Sequence, residues 1–174
     1  MDNQAKEPVS ALLAGPYGHP FHPILVTVPI GAWVASLVFD VASQFVTPPG
    51  FLTMGSTWLI AIGVVGALLA AMIGFLDLFA IPVGTAAFRT GVLHMAVNLV
   101  ATAAYAGNFL WRLSDYHRPD PVGAGQLALS VVSLLCLGAG GYLGGKLAFR
   151  YGVRVALETT QAEGYRVEKE TTSS

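Results

Sequence analysis

Charge is nearly absent from long parts of this chain, and where it occurs it is bunched. Charged residues gather in the first seven positions, around residues 112–120 and after Lys146, leaving apolar tracts between them. Only 11% of the 174 residues are charged and 54% are hydrophobic, against about a quarter charged in an ordinary soluble domain. A soluble fold of that composition would expose large apolar patches. A hydrocarbon core about 30 Å thick needs roughly 20 apolar residues in a helix, and these tracts are long enough. The sequence therefore predicts an integral membrane protein.

Punctuation divides the tracts into four spans, at residues 22–46, 57–81, 87–113 and 122–149. Thr47-Pro48-Pro49-Gly50 and Pro82-Val83-Gly84 end the first two, because proline cannot continue a helix and glycine permits the turn. The polar stretch 114–121 ends the third. Short connections make consecutive helices antiparallel neighbours, so the expected fold is all-α: a four-helix transmembrane bundle, up-down-up-down. Residues 1–20 form an N-terminal cytoplasmic segment, 21–150 the transmembrane domain and 151–174 a polar cytoplasmic tail. The tail's Glu, Thr, Ser and Lys content after Leu157 predicts disorder.

Four spans put both ends on one side. That side collects Lys6, Arg89, Lys146, Arg150, Arg154, Arg166 and Lys169, and the other only Arg112 and Arg118. Short segments rich in Lys and Arg stay cytoplasmic, which predicts an inner-membrane protein with both termini inside. No basic region precedes the first apolar stretch, so no cleaved signal peptide is expected. A net charge of −1 offers no basic field for nucleic acid. Cys136, the single cysteine, excludes a disulfide framework and reads as a small buried hydrophobe. Gly66, Ala70 and Gly74, then Gly140 with Gly144 and Gly141 with Gly145, lie at helical spacing and predict close helix packing in lipid. Association with a second copy is the lesser reading of the same residues. Trp58 and Trp111 fall where an interfacial aromatic belt belongs, and Trp33 reads as packing.

The chemistry-bearing residues collect at one end. His19 and His22, in Gly18-His19-Pro20-Phe21-His22-Pro23, stand at the mouth of the first span. Asp77 lies five residues inside the end of the second, about 7–8 Å along the axis, and His94 five residues beyond Arg89 in the third. Antiparallel packing brings all four to one level on the cytoplasmic side. Asn98, one turn deeper than His94, is a candidate supporting partner, and so is Arg89. Ionisable groups in hydrocarbon face the bundle and have a partner. Three uses fit these residue types. His19, His22, His94 and Asp77 make a four-ligand set for a transition-metal ion. His22 or His19 opposite His94 makes an axial pair for a b-type haem, with Arg89 at a propionate. Without metal, the cluster is a proton relay. Asp40, near the outer end of the first span, either pairs with Arg112 or faces a water pocket, and His117 belongs to a solvated loop.

Gly18-His19-Pro20-Phe21-His22-Pro23-Ile24-Leu25-Val26, followed by Pro29-Ile30-Gly31, Trp33 and Phe39-Asp40, resembles the domain of unknown function 2231 family of small bacterial membrane proteins. The resemblance extends to Gly74 with Asp77, to Arg89 and His94, and to Gly141-Tyr142-Leu143-Gly144-Gly145-Lys146 with Tyr151-Gly152-Val153, about residues 15–155 in all. It implies a four-span membrane protein and marks His19, His22, Asp77, Arg89 and His94 as its site. Relatives that carry a Rieske iron–sulfur domain on the same chain imply electron transfer. No Cys or His follows residue 136 in this sequence, so no such domain is expected here. The expectation is a non-catalytic protein with a metal centre, haem b or a transition-metal ion, serving a membrane redox partner. A proton or solute transporter and a structural subunit are the alternatives, and no enzyme motif is present.

Overall fold

The computed structural model describes residue 6 and residues 20–118, 120–163 and 165. Among them there is no strand. The helices are α1 (Phe21–Leu25), α2 (Thr27–Ser43), α3 (Gly50–Leu78), α4 (Ala86–Leu113), α5 (Ala124–Phe149) and α6 (Glu158–Glu163). Among the described residues, three helical stretches are long and apolar enough to cross a membrane: Phe21–Ser43, α3 and α5. α4 has the length but carries Arg89, His94, Asn98, Asn108 and Arg112, which lower its hydropathy. The second helix starts at Gly50, seven residues earlier than expected, because Pro49 sits in helical conformation at its N-cap. α6 occupies the beginning of the stretch expected to lack order.

α1 and α2 form one rod with a seam at Val26. Pro29 has no N–H to give the carbonyl of Leu25, so the ladder is interrupted there while Val26 keeps helical angles. α2 packs on α3, α3 on α4, α4 on α5, and α5 back on α2. The outside of this arrangement is apolar, with Val38, Val65, Leu68, Met72, Val100, Val132 and Leu135 all exposed. The inside is partly polar: Ser36, Asp40, Ser56, Asn108, Arg112, Ser130 and Ser133 are buried. That inverts the soluble pattern and suits a surface facing hydrocarbon.

Three side-chain pairs join α2 with α4 and the preceding α1 with α4, and all three are separated by the same interval, 72 residues: His22 with His94, Trp33 with Tyr105, Asp40 with Arg112. The carbonyls that serve the first two pairs are similarly related. His22 and His94 bond to Ala70 and Gly140, while Trp33 and Tyr105 donate to Ile60 and Ser130 at 3.2 Å each. Residues on a two-fold axis meet their own equivalents. The chain is thus a tandem pair of helical hairpins facing each other across such an axis.

The middle layer is the offset stack of Trp33 on Tyr105, with centroids 4.1 Å apart and planes 14° from parallel. Gly63 makes it possible, since a Cβ there would run into the indole nitrogen of Trp33. The outer layer is a two-pronged ion pair: Arg112 Nη1 and Nη2 donate to Asp40 Oδ1 and Oδ2 at 2.8 and 2.7 Å, with side chains 3% and 0% exposed. Ser56 and Ser130 donate to the carboxylate as well, and Asn108 accepts from Arg112 Nε at 3.1 Å. Asp40 therefore pairs with Arg112, one of the two expectations for it.

A pair so buried is costly to break from one side. Arg112→Gln should lower stability by about 3–5 kcal/mol by stranding the Asp40 carboxylate. The double change Asp40→Asn with Arg112→Gln should recover much of that loss, as read from thermal unfolding in detergent.

Candidate functional site

The inner layer of the axis holds the imidazoles. Pro20, extended at φ −67° and ψ 138°, caps α1, and Pro23 sits in the first turn, where its missing N–H is not needed. His22 is thereby held on the α1 face against α3. Its Nδ1 lies 2.9 Å from the carbonyl oxygen of Ala70, and its ring rests on Gly74, where a Cβ would come within 2.8 Å. His94 repeats the arrangement on α5. Its Nδ1 is 2.8 Å from the carbonyl of Gly140, and its ring lies against Gly144, where a Cβ would come within 3.0 Å. A carbonyl oxygen only accepts, so Nδ1 carries a proton in both rings and each is oriented by its carbonyl. The centroids are 6.2 Å apart with planes at 77°.

Asn98 sits beside this pair. Its amide donates to the His94 carbonyl at 2.8 Å and fills the space left by the absent side chain of Gly140. Asp77, buried near the end of α3 and close enough to His22 to interact electrostatically, forms an ion pair with Arg154, Oδ1 to Nε at 3.2 Å. Arg154 comes from beyond α5. The chain turns back through two left-handed residues, Gly152 at φ +67° and Arg154 itself at φ +57°. The guanidinium is 7% exposed. Arg89, the expected supporting cation, is exposed instead.

The structure thus pairs His22 with His94, with Asn98 in support, and sets Arg154 rather than Arg89 beside Asp77. His19 lies outside the described residues. Among the described residues no group of three or more His, Cys, Asp and Glu is placed to hold a metal ion. At the opposite end a pocket of about 230 Å³ opens beside Arg112, Thr57 and Gln126. Its rim charges Asp115 and Arg118 pair with each other at 3.3 Å, and His117 is exposed nearby. Trp58 and Tyr116 are hydrogen-bonded at that level, 2.7 Å apart, and Trp111 is half-exposed there, as an interfacial belt would be.

Sequence reasoning missed Arg154 and the acceptor carbonyls, and took Gly74 and Gly144 for helix contacts alone. A signal for the pairing existed. Offsetting the chain by the 72-residue interval aligns His22 with His94, Val28 with Val100, Ala32 with Ala104, and the aromatic pairs Trp33 with Tyr105 and Phe39 with Trp111. Nothing comparable marks Arg154, whose position depends on a turn.

The two glycine cradles give a direct expectation. Gly74→Ala and Gly144→Ala should each displace an imidazole and cost about 1–3 kcal/mol by overpacking. Gly141→Ala, where an added Cβ meets nothing within 4 Å, should be neutral or slightly stabilising. Thermal unfolding of the three variants in one detergent compares them.

Comparison with curated proteins and with solved structures finds no match to this chain. Residues 18–157 match the family described as "Predicted membrane protein (DUF2231)". That match spans most of the sequence and all of the long helices. The chain belongs to the domain of unknown function 2231 family of membrane proteins.

Proposed function

We propose that this protein crosses the bacterial inner membrane four times, up-down-up-down, with both termini cytoplasmic. We further propose that it holds a metal centre, a b-type haem, between His22 and His94, and exchanges electrons with a membrane redox partner. α4 completes the four crossings in this reading. Its polar residues His94, Asn98, Tyr105, Asn108 and Arg112 bond to neighbouring helices or within their own, so its mean hydropathy understates how apolar its lipid-facing side is.

The observation that carries the metal reading is the matched pair of imidazoles. Each donates Nδ1–H to a carbonyl, which fixes the tautomer and raises the basicity of the other nitrogen, as outer partners of metal-ligating histidines do. The two rings stand edge to face across the axis, with centroids 6.2 Å apart. The donor set fits haem better than a bare ion. A free transition-metal ion takes three or four protein ligands, whereas here Asp77 is engaged by Arg154 and two imidazoles remain. A haem iron would need two nitrogen ligands from the protein, and the cradles at Gly74 and Gly144 let the two imidazoles sit close to the helix backbones. Bound there, haem supplies one-electron chemistry. His22 and His94 would hold it, with the carbonyls of Ala70 and Gly140 orienting the rings.

A transport role is less well supported. The Trp33–Tyr105 stack and the Asp40–Arg112 cluster fill the bundle axis with groups that are already bonded. Protein produced with haem supplied and purified in detergent should show a Soret band that shifts on reduction, with iron in stoichiometric amount. His22→Ala and His94→Ala should each abolish the native band while the helical circular dichroism stays. A folded wild type with neither haem nor metal would remove the reading and leave a structural role.

A further inference from the structure

The pocket at the end remote from the imidazoles holds hydrogen-bond donors that the protein itself leaves unanswered. α5 begins at its wall, and the N-cap there is Gly123, which has no side chain to accept from the first turn. Gln126 reaches back instead, and its Oε1 accepts from Gly123 N at 3.3 Å. Only the amide oxygen can accept, so this bond fixes which end of the side chain is nitrogen. That nitrogen has no acceptor among the described residues, although Gln126 is only 7% exposed and lines the pocket. A buried donor left unmade is costly, so the space beside it is where an acceptor belongs. Arg112, the buried cation of the lining, adds no donor: its five N–H groups are spent on Asp40, Ser56, Ser130 and Asn108.

What suits these donors is an oxygen acceptor, and the positive end of a 26-residue helix favours one that carries negative charge. A bare anion is a poor match for the rim. Asp115 is answered by Arg118, but Asp120 is exposed in the lining and forms no ion pair among the described residues. An anion that carries its own cation satisfies both. The surroundings narrow the source. Trp58 and Tyr116 are hydrogen-bonded at this level, and the Trp111 ring lies half-exposed against Gly125, the aromatic setting of a lipid headgroup layer. We propose that this pocket binds the headgroup of a zwitterionic phospholipid of the ethanolamine class. Its phosphate oxygens accept from Gln126 Nε2 and from the first-turn N–H groups of α5, and its ammonium donates to Asp120. The site rests on the membrane fold and is independent of the metal centre.

Delipidated protein in detergent, titrated with phosphatidylethanolamine or phosphatidylglycerol and read by native mass spectrometry, tests the site. Wild type should bind the ethanolamine lipid about ten-fold or more tighter, the range of a hydrogen bond to a charged group. Gln126→Glu has nearly the same shape and keeps an oxygen for Gly123 N, but it replaces the amide donor with a second acceptor. It should lose about ten-fold or more in affinity for phosphatidylethanolamine while its unfolding temperature holds, a split that a helix-capping role alone would not give. Asp120→Asn should bring the two lipids close to equal, and an undiminished preference there overturns the placing of the ammonium. Equal binding of both lipids by wild type, or a Gln126→Glu variant that binds like wild type, overturns the site. Soluble phosphoethanolamine that binds as tightly as the lipid assigns the same chemistry to a free solute and overturns the lipid source.

Discussion

Polar groups away from water have only each other to bond to, and this molecule meets that constraint along a single line. Asp40 and Arg112 would each be prohibitive alone in an apolar interior. Together, with Ser56, Asn108 and Ser130 around them, every strong donor and acceptor in the cluster is used. The pair ties the end of α2 to the end of α4, helices that otherwise meet through long side chains. With the outer end closed in this way, the Trp33–Tyr105 stack and the His22–His94 pair fall into register below it. The whole inner surface follows from holding two hairpins face to face.

Repetition gives that surface its regularity. Each hairpin's first helical rod presents an imidazole and an aromatic ring, and its second supplies the carbonyls that receive them and glycines that admit the imidazoles. A helix carbonyl already engaged in its own ladder still has a lone pair to offer, so these bonds cost the helices nothing. At one level the halves differ for a physical reason: like charges would repel on the axis, and Asp40 with Arg112 forms a complementary couple there.

The same duplication explains why the proposed centre is simple. Residues near an axis come in twos, which suits a ligand with two equivalent faces and offers little to a tetrahedral ion. The rim beside the imidazoles is asymmetric too. Asp77 sits in one hairpin, and the carbon chain beyond α5 brings Arg154 to it, so an axial site acquires one charged side.

Much of the architecture was legible in the residues themselves. Sparse charge and long apolar runs call for membrane-length helices whatever the packing, and Pro-Pro-Gly and Pro-Val-Gly locate the turns because proline and glycine act on the local backbone. His22, His94 and Asp77 were expected at one level because rise per residue is constant along a helix. What the one-dimensional pattern did not contain was rotation and return. Which face of α4 turns inward, and hence that its polar residues are sheltered, depends on neighbours far along the chain. That Gly74 and Gly144 receive imidazoles rather than only helix backbones depends on the seam at Val26 and the depth of each rod. Arg154 reaches Asp77 through two left-handed residues, a path no periodicity encodes. Local chemistry set the elements and their depth; the meeting of α1, α2 and α4 through long side chains decided their partners.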